Sequence, residues 1–180
     1  MRILIDLRCL QSPPPRGGVG VYAEQLTRAL LARDQTNEYL LFANGLVDPR
    51  PHLPVFDAPN ARWVIGRWPN KCWNAASFAM RNSPFAIPDA VFLPNLNFIP
   101  PLPAQTRLVV TVHDLSFAHF PDCFTIRQRI WHRAVRPYAL LARADIITPV
   151  SETTKRDLVD MYRISESKIS VVYPGIGNAE

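Results

Sequence analysis

Two short stretches carry residue types and spacings that can do chemistry. Gly17-Gly18-Val19-Gly20 stands directly before a run with helical spacing. Glycines at a helix entrance leave backbone N–H groups and the positive end of the helix dipole facing outward with no Cβ in the way, which suits an anion. A diphosphate is the expected guest, with Arg16 beside the glycines; the plainer alternative is a glycine turn that only redirects the chain. His113-Asp114 follows the strongest apolar run, Leu108 to Val112, and sets a titratable ring and a carboxylate at a strand end. The alternatives there are a histidine bonded to backbone and an aspartate that caps the next turn.

These residues need a scaffold that brings them to one side. Arg2 to Leu7 is a short aliphatic run, followed from Gly18 by apolar residues at Val19, Tyr22, Leu26, Ala29 and Leu30, a helical repeat. Tyr39 to Ala43 reads as a second strand, Trp63 to Ile65 as a weaker third, and Lys71 to Arg81 as a helix. Further short strands are predicted at Ala90 to Leu93, Leu108 to Val112, Ile146 to Val150 and Ile169 to Tyr173. Between them lie helices at Thr125 to Ala142, kinked at Pro137, and Glu152 to Tyr162, capped by Ser151. Strands that alternate with helices and read as continuous apolar runs imply a doubly wound α/β domain with a mainly parallel, Rossmann-like sheet. In such a sheet ligands bind beyond the carboxyl ends of the strands. That rim gathers Arg16 to Gly20, Asn95 and Asn97, His113, Asp114 and Ser116, and Ser151 with Glu152, which are expected to meet around one hollow.

Composition narrows the class. With 180 residues, 48% of them hydrophobic and 19% charged, the chain can bury a core. Three cysteines without paired spacing suggest neither a disulfide framework nor a zinc site, so a reducing cytoplasm is expected and no metal is. Asp6 and Arg8 interrupt the opening apolar stretch before it reaches signal-peptide length, and no apolar run approaches the ~20 residues of a membrane span. The net charge of +5 is compatible with anionic partners. Nucleic acid is disfavoured, because no basic cluster is interleaved with aromatics. Arg129, Arg133, Arg136 and Arg143 fall near one face of a predicted helix, opposite Ile130, Ala134, Tyr138 and Leu141. A solvated amphipathic helix accounts for that pattern; peripheral contact with anionic lipid at the inner face of the membrane, or with a lipid-linked phosphate, is the sharper expectation.

Taken in order, Arg2 to Leu7, Gly17-Gly18-Val19-Gly20-Val21-Tyr22, Asn37-Glu38-Tyr39, Thr111-Val112-His113-Asp114-Leu115, Ala144 to Glu152 and Lys168 to Gly175 resemble the N-terminal half of family 4 glycosyltransferases. The resemblance implies a GT-B architecture, two Rossmann-like domains facing a cleft, with the first holding the acceptor and the second most of a nucleotide-sugar. It implies metal-independent transfer with retention of anomeric configuration, of a hexose such as mannose, to a glycan or lipid-linked acceptor in bacterial surface-polysaccharide assembly. By the same resemblance Gly17 and Gly18 approach the donor diphosphate, His113 lies near the transferred sugar, and Ser151 with Glu152 borders the acceptor. The domain is expected to span residues 1–174, with 175–180 opening a linker and no donor-binding domain following, so the chain alone is expected to be catalytically incomplete.

Two rivals accompany this expectation. Gly18-Val19-Gly20-Val21-Tyr22-Ala23 fits the dinucleotide pattern G-x-G-x-x-A, but the glycines come some ten residues after the first strand and the acid at the right distance, Glu38, precedes the second strand instead of ending it. A non-catalytic module that binds a glycan or lipid carrier is the other.

Overall fold

The computed structural model describes residues 1–67, 87–99 and 102–175. The predicted helix at Lys71 to Arg81 lies outside them. The fold is Rossmann-like α/β, and its contacts divide it into two compact units: Met1–Pro94 with Phe98–Arg107, and Asn95–Asn97 with Leu108–Glu180.

In the first unit, β1 (Arg2–Asp6), β2 (Glu38–Asn44), β3 (Ala61–Gly66) and β4 (Ala90–Leu93) lie in the order β3-β2-β1-β4. Each pairs in parallel, with Ile5 opposite both Leu41 and Phe92, and Phe42 opposite Val64. The side chains of β2 alternate between two cores, as a two-residue period demands. Tyr39 and Leu41 pack with Ile5, Leu7, Ala23 and Leu31, while Leu40 and Phe42 pack with Val64. Burial on both faces is why this strand reads as an unbroken apolar run.

Helix α1 (Gly18–Arg33) buries Gly20, Ala23, Thr27 and Leu31. The predicted face at Val19, Tyr22, Leu26, Ala29 and Leu30 therefore needs correction: Ala29 is exposed and the others are half-buried flanks. Small residues at the contact let the helix backbone approach the sheet closely, and Thr27 satisfies its buried hydroxyl by donating to the Ala23 carbonyl at 2.7 Å. Three small residues and Leu31 make up the buried face.

In the second unit β5 (Arg107–Val112) and β6 (Ile146–Pro149) pair in parallel, Val110 opposite Ile147 and Val112 opposite Pro149. The ladder is pinned at its start, where Asp145 accepts the Leu108 amide at 2.7 Å. A short helix α2 (Ser116–His119) follows β5, and α5 (Glu152–Tyr162) follows β6. The predicted kinked helix between them is instead two helices, α3 (Ile126–Val135) and α4 (Pro137–Arg143). Thr125 caps α3 in a reciprocal pair with Gln128, and Arg136 ends it in the left-handed conformation, φ 53°. Proline disfavours the α-helical conformation in the residue before it and cannot donate, so Arg136 leaves the helix and Pro137 opens the next one.

That break overturns the predicted arginine and apolar faces. Leu141 is buried as expected, but Ile130 is 61% and Tyr138 62% exposed, because the two halves no longer share a helical phase and α3 buries Val135. The expected strand at Ile169 to Tyr173 is also not formed. Ser170 and Val172 donate to Ile147 and Pro149, yet Ile147 opposite Ile169 is an isolated bridge. Pro149 has no N–H to return the next bond, and Val172 and Tyr173 stay exposed.

Candidate functional site

The glycine entrance belongs to the first unit. Gly17 is the N-cap of α1 in an extended conformation, φ −67° and ψ 169°, and its carbonyl takes the Gly20 and Val21 amides at 2.8 and 3.1 Å. No side chain caps this end and no acidic residue sits in its first turn. A helix of four turns thus presents its positive end without an internal counter-charge. A Cβ built on Gly17 or Gly18 meets nothing within 4 Å, so both glycines face open space, whereas one on Gly20 lies 3.0 Å from the Arg16 Cβ. None of these glycines has a positive φ. Gly20 is needed for close approach.

Arg16 is an anchor for this loop. Its Nη1 donates to Glu24 at 2.7 Å and its Nη2 to the His52 carbonyl at 2.5 Å, while Nε is buried without an acceptor among the described residues. Two of its three nitrogens are committed to holding the segment before the glycines. The expected ribose-binding acid of the dinucleotide reading, Glu38, is the first residue of β2 and pairs with Arg2 at 2.8 Å and Arg62 at 3.3 Å. The carboxyl end of that strand is Asn44.

The second unit holds the remaining predicted residues. His113 follows β5 and is half-buried; its carbonyl accepts Thr154 Oγ1 at 3.2 Å. Ser151 caps α5, its Oγ accepting the Thr154 amide at 3.1 Å and hydrogen-bonding Thr154 Oγ1 at 3.0 Å. Through Thr154, the end of β5 and the entrance of α5 are tied into one structure carrying His113, Ser151 and the exposed Glu152. Asp114 is exposed and accepts both the amide and the hydroxyl of Ser116, so its carboxylate also caps the start of α2. Asn95 lies in the same unit and donates to the Leu96 carbonyl at 3.3 Å.

The structure adds residues that spacing had not singled out. In the first unit, Asp6 and Arg8 form a buried pair, N–O 2.6 Å with side chains 3% and 8% exposed, and Arg8 also donates to the Phe98 carbonyl. In the second, His132 lies parallel to Phe117, centroids 4.3 Å apart at 7°, with Phe124 and Trp131 edge-on. Burial pushes the His132 pKa below the ordinary imidazole value, opposed by the charge of Asp114. Its apolar neighbours at 117, 124 and 131 were visible in the sequence, but only the fold shows that they converge. His119, by contrast, is spoken for by Asp157 at 2.9 Å.

No helix among the described residues is long and apolar enough to cross a membrane, and no cluster of three or more His, Cys, Asp or Glu among them is placed to hold a metal ion. No curated protein matches the sequence. Among solved structures the chain is similar to the crystal structure of Anabaena Alr3699/HepE in complex with UDP and glucose, with a TM-score of 0.52 at 15% identity. The match covers 98% of this chain and 45% of that one, so the chain spans less than half the length of that protein, and the likeness is one of fold. The sequence model of Glycosyltransferase Family 4 matches residues 16–178. That span takes in the glycine entrance, the His113 and Asp114 turn and the capped start of α5, and the chain belongs to glycosyltransferase family 4.

Proposed function

We propose that this chain is the acceptor-side half of a retaining glycosyltransferase that moves a hexose, mannose or a close relative, from a nucleotide-sugar to a glycan or lipid-linked acceptor without a metal. The observation that carries this is the amino end of α1, uncapped, free of acidic residues in its first turn and open over Gly17 and Gly18. The bond broken in such a transfer leaves negative charge on a diphosphate. Backbone amides fixed at a helix entrance stabilise that charge without reorganising. Arg16 holds the loop from its place on Glu24. His113 and Asp114 are assigned to the reacting sugar, and Asn95, Ser151 and Glu152 to the acceptor. The Anabaena structure, a complex with UDP and glucose, supports a nucleotide-sugar as donor.

A chain spanning 45% of that relative carries part of the machinery. The 180-residue chain alone is therefore assigned little or no turnover. Peripheral contact with anionic lipid at the inner membrane face is part of the same reading, supported by exposed apolar and arginine side chains on α3. The deciding experiment is a radiolabelled-sugar transfer assay with UDP- and GDP-hexoses. It compares the 180-residue chain with the same chain joined to a donor-binding family 4 domain. Turnover only in the joined protein, abolished by His113→Ala, is the expected result; joined proteins that transfer nothing from any donor while binding it would sink the reading.

A further inference from the structure

The second unit contains a cavity of about 240 Å³ between α2, α3 and the end of α5, lined among others by Phe117, Arg129, His132, Arg133, Pro137 and Tyr162. Most of its wall is aromatic ring, proline and aliphatic stem, and four polar groups interrupt it. The Nδ1 of His132 is buried with no hydrogen-bond partner among the described residues. Neither the Arg133 guanidinium nor the Tyr162 hydroxyl makes a hydrogen bond or ion pair among the described residues. Arg129 is committed to the Phe124 carbonyl at 3.1 Å and, more loosely, to Asp122 at 3.4 Å. Buried polar atoms in folded proteins nearly always have partners, and an apolar pocket with a few convergent unsatisfied groups is the usual form of a small-molecule site.

We infer that this cavity binds the oxyanion of an amphiphile, a phosphate or carboxylate joined to an apolar chain or ring. Arg133 supplies the fixed positive charge, Tyr162 and His132 supply neutral hydrogen bonds, and the Phe117 ring and prolines cover the apolar part. Burial holds the His132 ring neutral at physiological pH and keeps the Tyr162 hydroxyl protonated, so the pair adds polarity without adding charge. Asp114, whose charge acts on His132, and Asp122, against Arg129, are both exposed to solvent and act through water. The residues adjoining the lining in sequence, Phe120, Ile130 and Tyr138, are exposed at 61% or more, which favours a ligand that arrives with an apolar tail. This site is independent of the donor reading and is distant from the glycine entrance in sequence.

The test is a two-dimensional NMR titration of the 180-residue chain, following the His132 imidazole signals. Three probes are used: hexyl phosphate for a lipid-like source, glucose 1-phosphate for a soluble one, and hexanol for an apolar tail without charge. Hexyl phosphate is expected to shift His132 saturably, with hexanol weaker by about ten-fold and Arg133→Gln weakening the phosphate by about five-fold or more. Glucose 1-phosphate binding as tightly as hexyl phosphate would overturn the amphiphile, because the apolar tail would then contribute nothing. Arg133 is solvent-exposed, so the variant keeps its fold, and Tyr162→Phe serves as a second probe of the same cavity. No saturable shift with either phosphate, equal affinity for hexanol, or full binding by both variants overturns the inference. Because the readout is binding, a failed transfer assay leaves this result standing, and the reverse also holds.

Discussion

Arg16 donates to Glu24 across 2.7 Å, and its side chain fills the place that a Cβ on Gly20 would need. Two glycines two residues apart thus serve different ends: Gly20 lets Arg16 pass, while Gly18 borders open space. Gly20→Ala forces a contact of 3.0 Å against a side chain that is itself anchored, and is expected to destabilise the chain by roughly 1–3 kcal/mol. Gly18→Ala is expected to leave stability unchanged or raise it by up to about 1 kcal/mol, since its unfolded chain has less freedom to lose. Thermal melts with and without UDP separate the two. The Gly18 variant should melt no lower than the parent and lose any stabilisation by the nucleotide; an undiminished response to UDP would remove the glycine entrance from the proposed donor site.

The buried pair of Asp6 and Arg8 ties the end of β1 to the Phe98 carbonyl. Removing one partner leaves the other charged and out of water, a larger effect than the pair's own net contribution. Asp6→Ala should therefore lower stability by about 3–5 kcal/mol, and Glu38→Ala by far less, since its pairs with Arg2 and Arg62 are open to solvent screening. Urea denaturation of the two variants measures the contrast, and similar midpoints would show that Asp6 is not a buried structural charge.

The β-sheet was largely legible because its strands are buried on both faces, and a run such as Tyr39 to Ala43 has little else to become. The Ser151 cap and the helix after Gly18 were legible from local chemistry. Predictions failed where a neighbour decided the outcome. Ala23 and Thr27 are buried in α1 because they are small, a property a hydrophobic repeat does not score. The last expected strand was lost to one missing N–H, at Pro149, on the partner strand. Of the candidate site, the turn positions were visible, but the commitment of Arg16 to Glu24 and the convergence of Phe117, His132 and Tyr162 depend on tertiary contacts that spacing does not encode.

Stability should fall at both ends of the pH scale. Hydrogen bonds from Asn37, Tyr39 and Thr36 hold the Asp34 carboxyl well below its ordinary value of 3.8, the Arg2 hydrogen bond lowers Glu38, and the Leu108 amide lowers Asp145. A carboxylate depressed in the folded state contributes stability above its unfolded pKa and loses it as pH falls toward the folded one. The loss therefore begins below about pH 4.5, the ordinary value for Glu38. At the alkaline end, burial pushes the Cys9 thiol from 9.0 and the Tyr39 hydroxyl from 10.0 up to about 12. Groups held in their neutral form contribute below the unfolded value, so stability declines from about pH 9 upward. Calorimetric melting temperatures across pH 2 to 11 should give a plateau between these limits, and Asp34→Asn should flatten the acid limb. An unchanged acid limb in that variant would contradict the role given to Asp34.

Helix α3 bears an apolar ridge on its outer side. Ile126, 71% exposed, and Ile130 are one turn apart, while the buried Val135 lies on the opposite side at about 100° per residue. Arg127 and Arg133 flank the ridge, both exposed, and no acidic residue occurs between Ile126 and Arg143. Apolar side chains flanked by guanidinium groups fit an anionic lipid surface, with the isoleucines entering the acyl boundary and the arginines meeting headgroups. The chain is expected to float with vesicles containing phosphatidylglycerol, to stay behind with pure phosphatidylcholine, and to release as salt screens the arginines. Ile126→Ser with Ile130→Ser should abolish flotation while leaving the melting temperature within a few degrees, since neither side chain is buried. Self-association instead of flotation, seen as a dimer in ultracentrifugation that the same double variant dissolves, would assign the ridge to a second copy of the chain and end the membrane reading. Equal flotation with neutral and anionic vesicles would show that the arginines take no part.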